Sequence, residues 1–309
     1  MGRHTPVLLR EVLEALAIRA DGRYVDATFG RGGHTAALLE RLNAQGRVVA
    51  LDRDPQALQA GRERFAGEAR LTLRASPFSR LAALIAEEGL AGSIDGVLLD
   101  LGVSSPQLDD AARGFSFAHD GPLDMRMDPA SGVSAADFLA RAPEHELARV
   151  IREYGEEKFA KRIARDIVAA RREEPIERTG QLAAIVSRAV KTREPGKHPA
   201  TRTFQAIRIH VNDELGELQA ALRGSLEVLA PGGRLCAIAF HSLEDAIVKR
   251  FIQQHSQEDP VYAGLPQIPA HARPKLRRIG RTVHPSAAEI AANPRARSAV
   301  LRVAERVAA

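Results

Sequence analysis

The first hundred residues alternate short apolar, β-branched runs with amphipathic stretches at helical spacing, and this alternation limits the possible folds more than any other feature. Tyr24 to Phe29, Val48 to Asp52, Leu71 to Ala75 and Val97 to Leu101 read as strands bounded by turn residues. Thr35 to Leu42, Pro55 to Phe65 and Phe78 to Glu88 lie between or beside them with the periodicity of crossover helices. Such a chain pairs its strands in parallel, so the expected fold class is α/β with a mostly parallel, doubly wound, Rossmann-like sheet. The strands are apolar almost throughout, which suits a sheet covered on both faces. Leu235 to Phe240 adds a further strand, and the closing run "SAVLRVAERV" one more at or near a sheet edge.

Between Leu101 and Leu235 the alternation stops and helical signals take over, the mark of an inserted domain. Ser134 is placed as an N-cap with Asp137 three residues on, and Pro143 suits the first position of the next helix. Phe159, Ile163, Ile167 and Val168 follow helical spacing, as do Leu182, Ile185, Val186 and Ala189. One long helix is expected from about Ala200 to Leu229, with "APGGR" turning the chain back into the sheet. The expected division is a sheet domain of residues 1–106 and 216–309 around a helical insert of residues 107–215.

The stretch "VDATFGRGGHTAALLERL", residues 25–42, runs from the first strand through a glycine turn into a helix and so brings backbone N–H groups toward a ligand. A P-loop is disfavoured, because "GRGGHT" lacks the Lys-Ser or Lys-Thr pair. The dinucleotide pattern requires Gly or Ala where Thr35 stands. About twenty residues after the glycines the second strand ends in Asp52, where a carboxylate can accept both hydroxyls of a ribose. Asp26 at the end of the first strand disfavours a pyrophosphate and suits a cationic amino-acid group. S-adenosylmethionine carries both that ribose and that cation. The alternative for both aspartates is to cap neighbouring helices. Ser76 and Phe78 follow the third strand, where an aromatic ring can cover an adenine or pack in the core. Asp100 ends the fourth strand, with Gln107 beyond it.

The formal charge is +5, yet residues 271–309 hold nine Arg or Lys against two Glu, a local excess of +7. That tail and the stretch "KTREPGKHPATR", residues 191–202, are basic and poor in aromatics, as expected of phosphate contacts or of a solvated surface. The N-terminus lacks the pattern of a signal peptide and no apolar run reaches the roughly 18 residues of a membrane span, so a cytoplasmic protein without a membrane partner is expected. The single cysteine, Cys236, lies in the apolar run "RLCAIAF" and reads as a buried thiol. No His, Cys or carboxylate cluster has metal-ligand spacing, so no metal is expected; "DMRMD", residues 124–128, reads as an internal Asp and Arg pair.

The blocks "HTPVLLREVLEAL", "DATFGRGGHT", "LDRDPQAL", "DGVLLDLGVSSPQLDDAARGFSF", "DGPLDMRMD", "YGEEKFAKRIAR", "KHPATRTFQAIRIHVNDEL", "LAPGGRLCAIAFHSLEDAIVKRF" and "NPRARSAVLRVAER" span His4 to Arg306, and together they resemble the bacterial RsmH (MraW) family. The resemblance implies an S-adenosylmethionine-dependent enzyme that methylates N4 of a cytidine in the decoding region of 16S ribosomal RNA. It implies a class I methyltransferase domain with a helical insert that recognises RNA, the small ribosomal subunit as partner, and cofactor contacts at Gly32, Gly33, His34, Asp52, Phe78, Asp100 and Gln107.

Methyl transfer from a sulfonium is an in-line displacement, and the enzyme's task is to hold donor and acceptor in near-attack geometry. The lone pair of a cytosine amino group is delocalised into the ring, so an acceptor that localises it and takes its proton is needed. Asp100 is the candidate catalytic residue. The Asp-Pro-Pro-Tyr pattern of many amino-group methyltransferases is replaced here by Asp100-Leu-Gly-Val-Ser-Ser-Pro-Gln, which leaves Phe115 and Phe117 as candidates to stack on an extruded base or to pack in the core. His241 and Ser242 end the strand after the insert, where adjacent side chains point apart and a structural or substrate-contact role is favoured over catalysis. The RNA-binding candidates are Lys191, Arg193, Lys197, Arg202, Arg295 and Arg297. The competing readings are a methyltransferase for another nucleic acid or a protein, and a non-catalytic RNA-binding assembly factor with an adenosyl-ligand site; a homodimer is left open.

Overall fold

The structure is a computed structural model that describes residues 6–190, 198–258, 260–262, 267, 269 and 272–308. In chain order α1 (Leu9–Ala15), β1 (Arg23–Asp26), α2 (Gly33–Leu39), β2 (Arg47–Asp52), α3 (Pro55–Arg64), β3 (Leu71–Ala75), α4 (Leu81–Glu87) and β4 (Ile94–Asp100) come first. The helices α5 (Ser105–Asp109), α6 (Ala135–Arg141), α7 (Glu144–Gly155), α8 (Ala160–Glu173), α9 (Thr179–Ala189) and α10 (Thr201–Asn212) follow. The chain then runs through α11 (Glu214–Val228), β5 (Leu229–Ala239), α12 (Ser242–His255), β6 (Leu276–Arg278), α13 (Ala287–Ala292) and β7 (Val300–Arg306). It divides into two compact units, Met1–Gly102 with Leu215–Ala309, and Val103–Glu214.

The first unit is built on a sheet of order β3-β2-β1-β4-β5-β7-β6. β3, β2, β1, β4 and β5 pair in parallel, while β7 runs antiparallel to both β5 and β6. The fold is Rossmann-like, and the strand periodicity shows why both faces are covered. Val25, Val49, Leu51, Val97, Leu99, Leu235 and Ala237 join one core with Leu81 and Ile85 of α4, Leu218 and Leu222 of α11, and Val248 and Ile252 of α12. Their strand neighbours Tyr24, Val48, Leu98, Cys236 and Ile238 point the other way, into a second core with Val12 and Leu13 of α1 and Leu38 of α2. Side chains alternate along each strand, so continuous apolar runs fill both layers.

β7 lies near the sheet edge as expected, one strand in, because the short β6 covers it. β6 is only three residues long and two of them, Arg277 and Arg278, are exposed, so it carries little apolar signal. The "APGGR" turn sits inside β5: Ile94 pairs with Leu229 but Gly96 pairs with Arg234, so Ala230 to Gly233 bulge out of the ladder. Pro143 is the N-cap of α7, one residue before its expected place.

The expected long helix from Ala200 breaks at Asp213, which adopts a left-handed conformation with φ 48°. Aspartate tolerates this region better than most residues. The preceding Asn212, 2% exposed, anchors the break: its amide donates to Met125 O at 2.8 Å and Arg208 O at 2.9 Å, and its carbonyl accepts from Met127 N–H at 2.8 Å. Arg208 bridges it with two hydrogen bonds to Glu214, at 2.7 and 2.8 Å. Hydrophobic periodicity carries on through the break and hides it.

The second unit packs α6 to α10 around Leu147, Ile151, Ile163, Ile167, Val186 and Ile207. Ser134 caps α6 as expected, its Oγ accepting from Asp137 N–H at 3.1 Å. Asp124 and Arg126 form the expected internal pair through two hydrogen bonds, at 2.9 and 2.7 Å. Among the described residues no helix is long and apolar enough to cross a membrane.

Candidate active site

Asp52, Asp26 and Asp100 end the adjacent parallel strands β2, β1 and β4. Carboxylates at neighbouring strand ends repel one another, and each here meets that cost differently.

Asp52 is held by the glycine turn. Its Oδ2 accepts from Gly30 N–H at 2.7 Å and its Oδ1 from Asp54 N–H at 2.8 Å, which leaves further acceptor capacity on both oxygens. Burial pushes its pKa up to about 6, against the lowering effect of those two N–H groups. The capping of α3 falls to Asp54, which accepts from Gln56 N–H at 3.0 Å, so Asp52 is not spent on a helix end.

Asp26 departs from its expected place beside a cationic ligand. It is 1% exposed, and Thr35 donates its hydroxyl to Oδ2 at 2.7 Å while Thr28 N–H donates to Oδ1 at 3.2 Å. Its pKa is raised by burial. Asp26 therefore braces the turn from within. Thr35, the residue that spoils the dinucleotide pattern, is fully buried and is the strongest hydrogen-bond donor Asp26 has here.

Asp100 keeps 25% of its side chain exposed. Its N–H donates to Thr28 Oγ1 at 2.7 Å, and its Oδ2 lies 3.5 Å from His34 Nδ1. The other His34 nitrogen, Nε2, lies 3.2 Å from the carbonyl of Val7. A carbonyl can only accept, so the contact with Val7 is made by the form of the ring that carries hydrogen on Nε2. Burial pushes Asp100 up to about 6; His34 opposes the shift, while Asp26 and Glu244 add to it. Its Oδ1 is buried without a hydrogen-bond partner among the described residues. A buried orphan acceptor at a strand end marks a place for a donor from a ligand.

Two glycines are required by the protein itself. Gly32, N-cap of α2 with φ 67°, would drive a Cβ to 2.7 Å from the rings of Phe29 and Phe65, and a Cβ on Gly33 would lie 2.4 Å from Pro6. Protein atoms thus fill the space a side chain would take at both positions. Phe78 is half-buried at the start of a 3₁₀ turn and packs against the apolar cluster containing α4 and α11. Ser76 N–H donates to Asp52 O at 2.8 Å, tying the end of β3 to that of β2.

The remaining candidates are dispersed. Gln107 belongs to the helical unit, where its Oε1 accepts from Ser104 N–H at 2.9 Å as the reciprocal cap of α5. Phe115 is buried in that unit's core, and Phe117 stacks on His198 at 4.5 Å and meets Phe204 edge-on. Arg202 donates to Glu156 O at 3.0 Å. Arg295 and Arg297 are exposed on a 3₁₀ turn of the sheet unit. Lys191, Arg193 and Lys197 lie outside the described residues. His241 caps α12 and Glu244 reciprocates, its Oε2 accepting from His241 N–H at 3.3 Å, which commits this histidine to a structural part. Sequence reading missed Thr28, which joins β1 to β4 through Asp26 and Asp100; its position two residues after an aspartate was the available signal.

A family model described as the MraW methylase family matches residues 1–307. The protein of Thiobacillus denitrificans named ribosomal RNA small subunit methyltransferase H is 61% identical over 307 residues, covering 99% of this chain and 97% of that one. The protein of the same name from Dechloromonas aromatica is 56% identical over 308 residues, with 98% of each chain covered. The crystal structure of an rRNA methylase from Streptococcus thermophilus superposes with a TM-score of 0.44 at 14% identity, covering 100% of both chains, and adds nothing to the assignment. On the strength of the full-length family match and the two relatives, the chain belongs to the MraW methylase family.

Proposed function

We propose that this protein uses S-adenosylmethionine to methylate small-subunit ribosomal RNA, at the exocyclic N4 of a cytidine in the decoding region of 16S RNA. The observation that carries the reading is the strand-end trio, in which Asp52 and Asp100 both retain acceptor capacity while Asp26 is satisfied internally. The donor set fits the cofactor: Asp52 suits the two ribose hydroxyls and the orphan Oδ1 of Asp100 suits a cationic amino group. Gly32, Gly33, His34 and Phe78 of the sheet unit and Gln107 of the helical unit complete the proposed cofactor set. When bound, the cofactor supplies an electrophilic methyl group on a sulfonium.

The protein's own part is positional and electrostatic. Asp100, raised to about 6, is a stronger base than an ordinary carboxylate yet still ionised near neutrality, which suits it to accept the amino proton as the methyl arrives. His34, 3.5 Å from Oδ2, and Thr28, which accepts from the Asp100 N–H, flank this carboxylate. The helical unit, residues 103–214, and the exposed Arg295 and Arg297 are proposed to hold the RNA, acting with Arg202, Lys191, Arg193 and Lys197.

The test is methyl transfer from isotopically labelled S-adenosylmethionine to isolated small subunits, with mapping of the labelled nucleotide. Label on N4 of a single decoding-region cytidine is expected. Label confined to another RNA, to DNA or to protein would overturn the substrate, and cofactor binding without transfer would favour an assembly factor.

A further inference from the structure

Away from the strand-end carboxylates, the sheet unit contains a cavity of about 270 Å³ between the second half of α12 and the β6–β7 edge. Lys249 stands on its α12 wall, and Arg278 and Arg281 on the wall formed by β6 and the turn after it. All three are exposed, and none has an acidic partner among the described residues. Arg302 also faces the cavity, but its charge is answered by Asp245, at 2.6 and 2.9 Å. The site therefore carries three uncompensated cations. Beside these cations Ile279 and Val303 supply apolar surface, and the exposed Gln253 supplies an amide able to donate and accept. Ser256, at the end of α12, contributes a buried hydroxyl without a hydrogen-bond partner among the described residues.

Cations beside apolar surface and an amide match a nucleotide, with its phosphate on the first and its base against the second. A free acidic peptide would leave the apolar surface and the amide unused, and an apolar ligand would leave the cations unused. We propose that this cavity binds one nucleotide of a single-stranded RNA segment, its phosphate on Lys249, Arg278 and Arg281 and its base against Ile279 and Gln253. The inference rests on the reading of the substrate as RNA and adds an anchoring point to it. In strand order β6 stands three places from β4, which ends in Asp100. Arg278 is level with Val97, three residues short of Asp100, so roughly 14 Å across the strands and roughly 10 Å along them give an in-sheet span of roughly 17 Å, which a few nucleotides bridge. An anchor at that remove would fix the register of the strand presented to Asp100.

The test uses the full chain and the variant carrying Lys249→Gln, Arg278→Gln and Arg281→Gln, with a short single-stranded RNA of about eight nucleotides as probe. All three side chains are exposed, so an unchanged thermal unfolding transition is expected. The variant should bind the RNA at least tenfold more weakly, and the slope of log affinity against log salt should fall by about 2. Gln253→Ala should weaken binding with the salt slope unchanged, separating base from phosphate contact. Wild-type binding and subunit methylation that the triple variant leaves intact would overturn this site while leaving the RNA reading standing. A wild-type protein that neither binds the probe nor methylates subunits would overturn both. Cytidine monophosphate or inorganic phosphate competing as strongly as the RNA would identify a free-anion site and reject the anchoring role.

Discussion

Replacing Asp100 by Asn should stabilise the fold while abolishing activity, with a pH dependence that follows from its surroundings. The folded-state pKa of Asp100 is raised to about 6, against about 3.9 for an unperturbed aspartate. A carboxyl with a raised folded pKa favours the native state when protonated, so its contribution is full below about pH 4 and is lost as pH rises through 6. With the folded pKa at about 6 against about 3.9 unfolded, the loss between pH 4.5 and pH 8 is roughly 2 kcal/mol. With a quarter of the side chain exposed, solvent screening cuts this to about 1 kcal/mol. Asparagine matches the shape and escapes the titration. Urea denaturation of both proteins at pH 4.5 and 8, followed by circular dichroism, should show nearly equal stability at low pH and a variant about 1 kcal/mol more stable at high pH. Subunit methylation by the variant should fall at least a hundredfold, as loss of a general base costs. A stability difference that is the same at both pH values would refute the reasoning, because Asp100 would then not be coupled to protonation in the native state.

Thr35→Val keeps the shape but removes the donor to the buried Asp26, and should cost about 1–3 kcal/mol in urea denaturation at neutral pH; an unchanged midpoint would show that Asp26 is satisfied without it. Charge reversal of Arg295 and Arg297 should weaken RNA binding and flatten its salt dependence while leaving S-adenosylmethionine affinity intact, as read by filter binding and calorimetry. Cys236 is completely buried and pushed up to about 12, so a thiol reagent at pH 8 should label it only as fast as the fold opens, and immediate labelling would contradict its place in the core.

Much of the fold was legible because it is written in local periodicity. Alternating strands and crossover helices from Tyr24 to Leu101 imply a parallel sheet, and carboxylates at three strand ends follow from where apolar runs stop. The helical insert was legible for the same reason, in the spacing of Ile163, Ile167, Leu182 and Val186. What the pattern could not carry is the set of contacts between residues far apart in sequence. Thr28, two residues on, was the one local signal at Asp26; that Thr35 would close its other oxygen while Asp52 keeps its acceptors available was not written there. The break at Asp213 depends on Asn212 reaching backbone groups at Met125 and Met127, more than eighty residues away. The edge strand β6 exists because three residues find β7, with little in its own composition to announce it. Periodicity is a property of the chain and determined which elements form; burial and hydrogen-bond pairing belong to the packed molecule, and only there was it decided that Asp26 supports the site while Asp52 and Asp100 are left with acceptors to offer.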